Sequence, residues 1–302
     1  MNRLAIIIPF YKREQITNIC FKHIADQSKR LGFDVITAGS EGEKSQKLAK
    51  KHGLKYLEVN NSPLSSKLNE LIKACKAYDG VIISGSDDFF SDSFIKYYQD
   101  IDLNKPIVYH YNDAHVFSVW HNKLVTGFRH TLKQPIGVGR LFSKEALEVL
   151  NYNVYREKRD RGLDSSALRS IKKNRIETHL IEYKDVLILD VKQDNNLTSP
   201  ELVNIIKDSS PLTILDQLGD IKDEILKLEK GQVKHKPRTK LNNMNKADVK
   251  KIKAEVLKTF GHFQEGKTYL FKEHNFKDLE KKGYVREIKT RNPRAKKTGT
   301  KK

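Results

Sequence analysis

The chain has 302 residues, 38% of them hydrophobic and 9% aromatic, with 57 Lys+Arg against 38 Asp+Glu and a net charge of +19. That is enough apolar material for a sizeable core in one or two domains, and no apolar run approaches the ~20 residues of a bilayer span. The two cysteines, Cys20 and Cys75, exclude a disulfide framework and a Cys-based metal site. The opening MNRLAIIIPFYKRE lacks a secretory pattern, so both are expected to be buried thiols, inside helices, of a cytoplasmic protein.

In chain order, LAIIIPF (4–10) reads as a buried strand closed by Pro9, and REQITNICFKHIADQSKRLG as a helix with Ile16, Ile19, Cys20 and Ile24 on one face, ending at Gly32. FDVITAGS (33–40) is a second strand, EKSQKLAKKHG a short helix and LKYLEV (54–59) a third strand. A third helix is predicted in SPLSSKLNELIKACKAYDG, with Pro63 at its first position after Ser62. The fourth strand, VIIS, runs into GSDD. Strands alternating with helices predict a parallel, right-handed βαβ sheet over the first half.

From residue 106 the pattern changes. PIVYHYNDAHVFSVWHNKLVTGF alternates and reads as antiparallel strands, and GVGRLFSKEALEVLN as a Gly-rich turn into a helix. RGLDSSALRSIKKN is helical, IETHLIEY and DVLILDVK are strand-like, and NNLTSPELV is a loop entering a helix. Ile214, Leu218, Ile221, Ile225 and Leu228 follow a heptad seam of about two repeats, too short for a coiled coil, and are expected to pack against the body.

The charge is uneven: residues 231–302 hold 22 basic and 7 acidic side chains, net +15, whereas residues 1–230 carry a net of only +4. Such a segment suits a polyanion, DNA or RNA before a membrane, because phosphate contacts release counterions. A solubilising tail is the alternative. The expected organisation is a domain over 1–210, a connecting helix over 211–230, and a small basic α+β module over 231–302 ending in a disordered tail.

Asp87 and Asp88 follow an apolar strand, at the rim where open α/β sheets bind ligands. By themselves they read first as caps for the helix SDSFIKYYQ, or as solvated turn residues. Asp164 likewise stands at a helix start. Gly137 and Gly139 permit close backbone approach, with Arg140 beside them. His110, His115, His121 and His130 crowd one region without a zinc spacing, and Trp120 with Tyr109, Tyr111 and Phe117 reads as core or as a stacking surface.

Four segments in order resemble the GT-A glycosyltransferases: IIIPFYKRE, where that family has a strand ending at Pro and a polar turn facing the nucleotide; DVITAGSEG; NNSPLSSKLNELIKACKAYDGVIISGSDD, leading into its Asp-x-Asp strand; and RGLDSSA. The order GSDD, GxGRxFS, GLD is similar to family 2-like enzymes encoded by bacteriophages, over about residues 4–200. The resemblance implies a GT-A-like, Rossmann-type fold with a mostly parallel sheet flanked by helices. It implies a Mn²⁺ or Mg²⁺ site at Asp87 and Asp88 and an acceptor-activating carboxylate at Asp164. Donor contacts fall at Pro9, Tyr11, Arg13, Glu41, Asn61, Lys67, Ser86 and Lys192, and acceptor contacts at Gly139 and Arg140. Asp190, Lys192 and Asp194 fall where the family completes its metal or diphosphate site.

The chain departs from the family at Gly85, where the first Asp of the motif would stand, and at Thr37 and Ala38, where the base-binding Asp would be. Glu41, Asn60 and Asn61 are the substitutes. The activity implied is transfer of a hexose from a nucleotide-sugar such as UDP-glucose to a hydroxyl, foremost a hydroxymethylated pyrimidine in phage DNA, with duplex DNA held by the basic segment. A protein or glycan acceptor, or a non-catalytic nucleic-acid-binding protein on a degenerate scaffold, stays open. So does the oligomeric state.

Overall fold

β1 (Leu4–Pro9) is buried along nearly its whole length, as a strand covered on both faces must be. Its alternation divides the core. Leu4, Ile6 and Ile8 pack with Ile16, Ile19 and Ile24 of α1 (Glu14–Leu31), while Ala5 and Ile7 meet Leu68, Leu71 and Ile72 of α3 (Leu64–Lys73). Each fully buried isoleucine contributes about 1.5–3 kcal/mol. β2 (Asp34–Gly39), α2 (Glu43–Lys51), β3 (Lys55–Glu58) and β4 (Gly80–Ile83) complete the βαβ half, and β4-β1-β2-β3 are all parallel. α1 stops at Gly32, whose φ of +74° lets its N–H return to Ser28 O at 2.9 Å. The structure is a computed structural model that describes residues 1–111, 114–118, 123–127, 135–156, 158–181, 188–192, 205–208, 215–219, 221–228, 251–258, 265–272, 276, 279–281 and 283–288.

The sheet continues through β9 (Leu141–Ser143), β6 (Ile107–His110) and β10 (Glu177–Leu180) in the order β10-β6-β9-β4-β1-β2-β3, with only β9 antiparallel to its neighbours. Helices α4 (Asp92–Asp100), α5 (Lys144–Val149) and α6 (Leu163–Lys173) join α1–α3 in covering its faces. This is the mostly parallel sheet flanked by helices expected of an α/β chain. A second sheet, β12-β8-β7-β11-β5, is assembled from β5 (Asp88–Phe90), β7 (Ala114–Ser118), β8 (Lys123–Gly127), β11 (Ile188–Lys192) and β12 (Ile205–Asp208).

Several expectations need correction. Of the antiparallel strands read into 106–128, β7 and β8 pair with each other, while β6 enters the main sheet, antiparallel to β9 and parallel to β10. Leu141–Ser143 is a strand before its helix, because all three residues are buried between β4 and β6. Pro63 is the residue before α3, extended at φ −80°, ψ 148°, and not its first helical residue. Cys75 lies in the turn beyond α3; both thiols are buried and free. Asp87 and Asp88 cap nothing: Ser91 caps α4, its Oγ accepting from Phe94 N. Ile205–Asp208 is a strand, whereas 195–203, Asp194, Trp120, His121, His130 and Ile214 lie outside the described residues.

The chain divides into two units, Met1–Val233 and Lys234–Lys302. The heptad seam belongs to the first. Leu218, Ile221, Ile225 and Leu228, spanning a 3-10 turn and α7 (Ile221–Leu226), are buried in the same cluster as Ile16 and Ile19 of α1. In the second unit β13 (Lys251–Val256), β14 (Thr268–Lys272) and β15 (Val285–Glu287) form an antiparallel sheet around Ala254, Val256, Phe276 and Val285. Among the described residues no helix is long and apolar enough to cross a membrane.

Candidate functional site

Beyond Ile83 the chain turns through Ser84–Asp87 and re-enters as β5. The Gly85 N–H donates to Asp88 Oδ2 across this turn. A Cβ on Gly85 would stand 2.8 Å from Asp88 Oδ2 and 2.9 Å from Asp87 Oδ1, so only glycine lets both carboxylates fold over the turn. β5 pairs antiparallel with β11 and sets Asp190 directly opposite Asp88. The three buried residues Asp87, Asp88 and Asp190 thereby bring one oxygen each to within 4.8 Å of the others.

Carboxylates this close repel one another, and two cations answer them. Arg13 Nη1 donates to Asp87 Oδ2 at 2.7 Å, and its Nη2 to Asp87 Oδ1 at 3.3 Å and Ser86 Oγ at 3.0 Å. Lys192, two residues along β11 on the same face, reaches Asp190 Oδ2 at 2.5 Å. Asp88 is the one of the three that forms no ion pair among the described residues. Burial first, then Asp190 and Asp87, push its carboxyl well above the usual range, against the opposing pull of Lys192 and the Gly85 N–H. Arg13 is aimed by a turn in which Lys12 and Arg13 have φ of 55° and 53°. Non-glycine residues there cost of order 1–3 kcal/mol each. Glu41 holds the turn, its Oε2 accepting from Lys12 N at 2.8 Å.

The cleft above the carboxylates has a volume of about 850 Å³, within the usual range for small-ligand sites of about 300–1,000 Å³. Pro9, Tyr11 and Arg13 line it from the end of β1, Asn61 and Lys67 from the start of α3, and Asp87, Asp88 and Lys192 from the second sheet. Lys67 is 1% exposed and spends its three protons on Phe10 O at 3.2 Å, Ser40 Oγ at 3.1 Å and Asn61 Oδ1 at 3.2 Å. Burial pushes its pKa down to about 8, partly opposed by Glu58 and Glu41.

Asp164 lines the same cleft. It is the second residue of α6, whose N-cap is Gly162, so its carboxylate serves no cap and stands at the positive end of the helix. The backbone facing it is Gly137: a Cβ there would lie 1.9 Å from Asp164 Oδ1.

Four expected contacts stand elsewhere. Glu41 is spent on the Lys12 backbone, and Ser86 is buried beneath the cleft as an acceptor for Arg13. Gly139, at φ +72°, donates its N–H to Ile83 O at 2.8 Å and does not line the cleft. Arg140 is fully buried, not directed at a ligand. Its Nη2 donates to Ile136 O at 3.1 Å, and its Nε and Nη1 make no hydrogen bond among the described residues. Beside it His110 is buried, its pKa pushed down to about 4 by burial, then by Arg140. Sequence reasoning missed Lys12, Tyr155, Asp160 and Arg161, which also line the cleft. The signal for the last three was the charge-dense YREKRDRGLD ahead of α6.

Hard oxygen donors, a glycine cradle that any Cβ would fill, and a buried carboxyl crowded by two others fit a divalent cation of the Mg²⁺ or Mn²⁺ kind at Asp87, Asp88 and Asp190. No other such group occurs among the described residues.

No family model matches the chain, and a search of curated proteins finds no match. Among solved structures it is similar to the catalytic domain of Drosophila β1,4-galactosyltransferase 7 in complex with xylobiose, at 12% identity and a TM-score of 0.43, over 71% of this chain and 79% of that one. It is also similar to the glycosyltransferase GlyE of Streptococcus pneumoniae TIGR4, at 10% identity and a TM-score of 0.43, over 75% of this chain and 62% of that one. A protein of Desulfovibrio desulfuricans G20, assigned as a nucleotide-diphospho-sugar transferase, matches at 11% identity and a TM-score of 0.41, over 74% and 97%. At these values the likenesses assign no activity to this chain.

Proposed function

We propose that residues 1–233 form a metal-dependent, inverting glycosyltransferase that moves a hexose from a nucleotide-sugar, UDP-glucose first among candidates, to a hydroxyl acceptor. The reading rests on one observation: Asp87, Asp88 and Asp190 converge at the C-terminal rim of a parallel sheet, on the floor of a cleft that Asp164 also lines. Asp87, Asp88 and Asp190 would hold a divalent cation, which would supply positive charge to a diphosphate leaving group. Asp164 accepts the proton of the acceptor hydroxyl as its oxygen bonds the anomeric carbon. The bond from that carbon to the diphosphate breaks, and the diphosphate leaves with the electron pair toward Arg13, Lys192 and Lys67.

The acceptor we favour is a hydroxymethylated pyrimidine in phage DNA, modified in the host cytoplasm. The net charge of +15 over residues 231–302 supports a polyanionic substrate, and a duplex base would have to flip out to enter the cleft. The test is a screen of radiolabelled nucleotide-sugars with Mn²⁺ against DNA carrying hydroxymethyluracil or hydroxymethylcytosine. Label entering the DNA is the expected result. Label entering protein or glycan instead would overturn the DNA acceptor, and no transfer from any donor would overturn the enzyme.

A further inference from the structure

The loop between Tyr155 and α6 is a built element. Asp160 Oδ1 accepts from Leu64 N at 2.8 Å and its Oδ2 from Ser62 Oγ at 3.1 Å. Arg159 N donates to Ser65 Oγ at 2.9 Å, and Ser65 N donates back to Arg159 O at 3.0 Å. Four bonds thus pin the loop to the start of α3, and two of them hold the carboxylate of Asp160. Residues 156–175 contain eight basic and three acidic side chains. Of the acids, Asp160 bonds to α3, Asp164 lines the cleft, and Glu157 is outside the described residues.

All eight basic residues are exposed. Arg161 lines the cleft next to Asp164, and Arg169, Lys172 and Lys173 fall three and four apart, on one face of α6. No ion pair among the described residues engages Arg156, Lys158, Arg161, Lys172 or Lys173, whereas Arg30, Lys47, Lys73 and Lys105 elsewhere on this unit all have carboxylate partners. Exposed positive charge at Arg156, Lys158, Arg161, Lys172 and Lys173, on and beyond a loop pinned at Arg159 and Asp160, complements a row of phosphates.

We infer that Arg156 and residues 158–175 are a phosphate-binding ridge that carries a nucleic-acid backbone across the acceptor side of the cleft. The first unit would then hold its polymer without relying on the basic second unit. The inference deepens the DNA-acceptor reading and rests on it for the choice of polymer.

The test uses the full chain, a short fluorescein-labelled DNA duplex, and a range of salt concentrations, without donor or metal. R156Q/K158Q/R161Q should flatten the slope of log affinity against log salt by about 0.9 per lost contact, hence by about 2.7, and K172Q/K173Q by about 1.8. K47Q/K73Q, on α2 and at the far end of α3, should leave it unchanged. Slopes equal to wild type in both ridge variants would overturn the inference, as would binding to anionic phosphatidylserine vesicles with no binding to duplex. Because the readout is binding, the two readings separate. Flattened slopes with no sugar entering DNA leave the ridge and sink the acceptor, and unchanged slopes with sugar entering DNA do the opposite.

Discussion

Replacing Gly137 by Ala tests Asp164 without touching it. The new Cβ would begin 1.9 Å from Asp164 Oδ1, where real contacts essentially never fall under 3.0 Å, so the carboxylate must withdraw by more than 1 Å. The atoms nearest that Cβ all belong to this one side chain, and Gly137 is not among the glycines with positive φ, so alanine suits the backbone. Such a substitution stabilises a fold by up to about 1 kcal/mol through the unfolded chain, which offsets the displacement. A misplacement of about 1 Å costs roughly 100-fold in rate, and a general base is worth about 10²–10⁴-fold. G137A should therefore lose about two orders of magnitude in kcat for sugar transfer, with KM for the donor and Tm little changed. In the same assay D164A should lose at least as much, and G137A/D164A no more than D164A alone, since both changes act on one group. A folded G137A with wild-type kcat, or additive losses in the double variant, would refute the role given to Asp164.

Gly85→Ala presses a Cβ on Asp88 and Asp87 together, so Mn²⁺ affinity measured by calorimetry should fall at least as far as in D88N, and unchanged affinity would exclude this cation seat. Arg13→Met leaves Asp87 without its closest cation; it should cost about 3 kcal/mol of stability, and added Mn²⁺ should raise Tm more than in wild type. Equal gains in the two proteins would argue against it. Lys67, with a pKa of about 8, is charged below that pH and loses one of its three donors above it, so donor affinity should decline as pH rises through 8. Its native value is depressed, so between about 8 and the usual 10.5 the unfolded chain binds the extra proton and stability rises with pH. K67M should abolish both trends.

The first half of the fold was readable because its signals are local. Ile6–Ile8, Val35–Ile36 and Val81–Ile83 are apolar runs closed by Pro or Gly, and α1 ends where Gly32 says it must. Asp87 and Asp88 were legible from their place after such a run. The second sheet was not, since it gathers short strands from 88–90, 114–118 and 188–192, and nothing in any one of them announces its partners. For the same reason Asp190 could be noted at a strand end, while its register opposite Asp88 could not. The Gly137–Asp164 contact joins residues on separate elements, invisible to any local pattern. Arg140 misled because an arginine beside glycines suggests an exposed loop; β9 and its neighbours instead carry it into the core. Glu41 looked like a base reader and is spent on a strained turn, a demand set by Lys12 and Arg13 lacking a glycine between them.

The return of residues 215–228 to α1 bears on where the polypeptide can be shortened. Leu218, Ile221, Ile225 and Leu228 close one side of the interior that Ile16 and Ile19 begin. A protein cut at 210 would leave that side open to solvent as a sticky apolar strip and be prone to self-association. Cut instead just past 228, it keeps its own lid while shedding the cationic remainder.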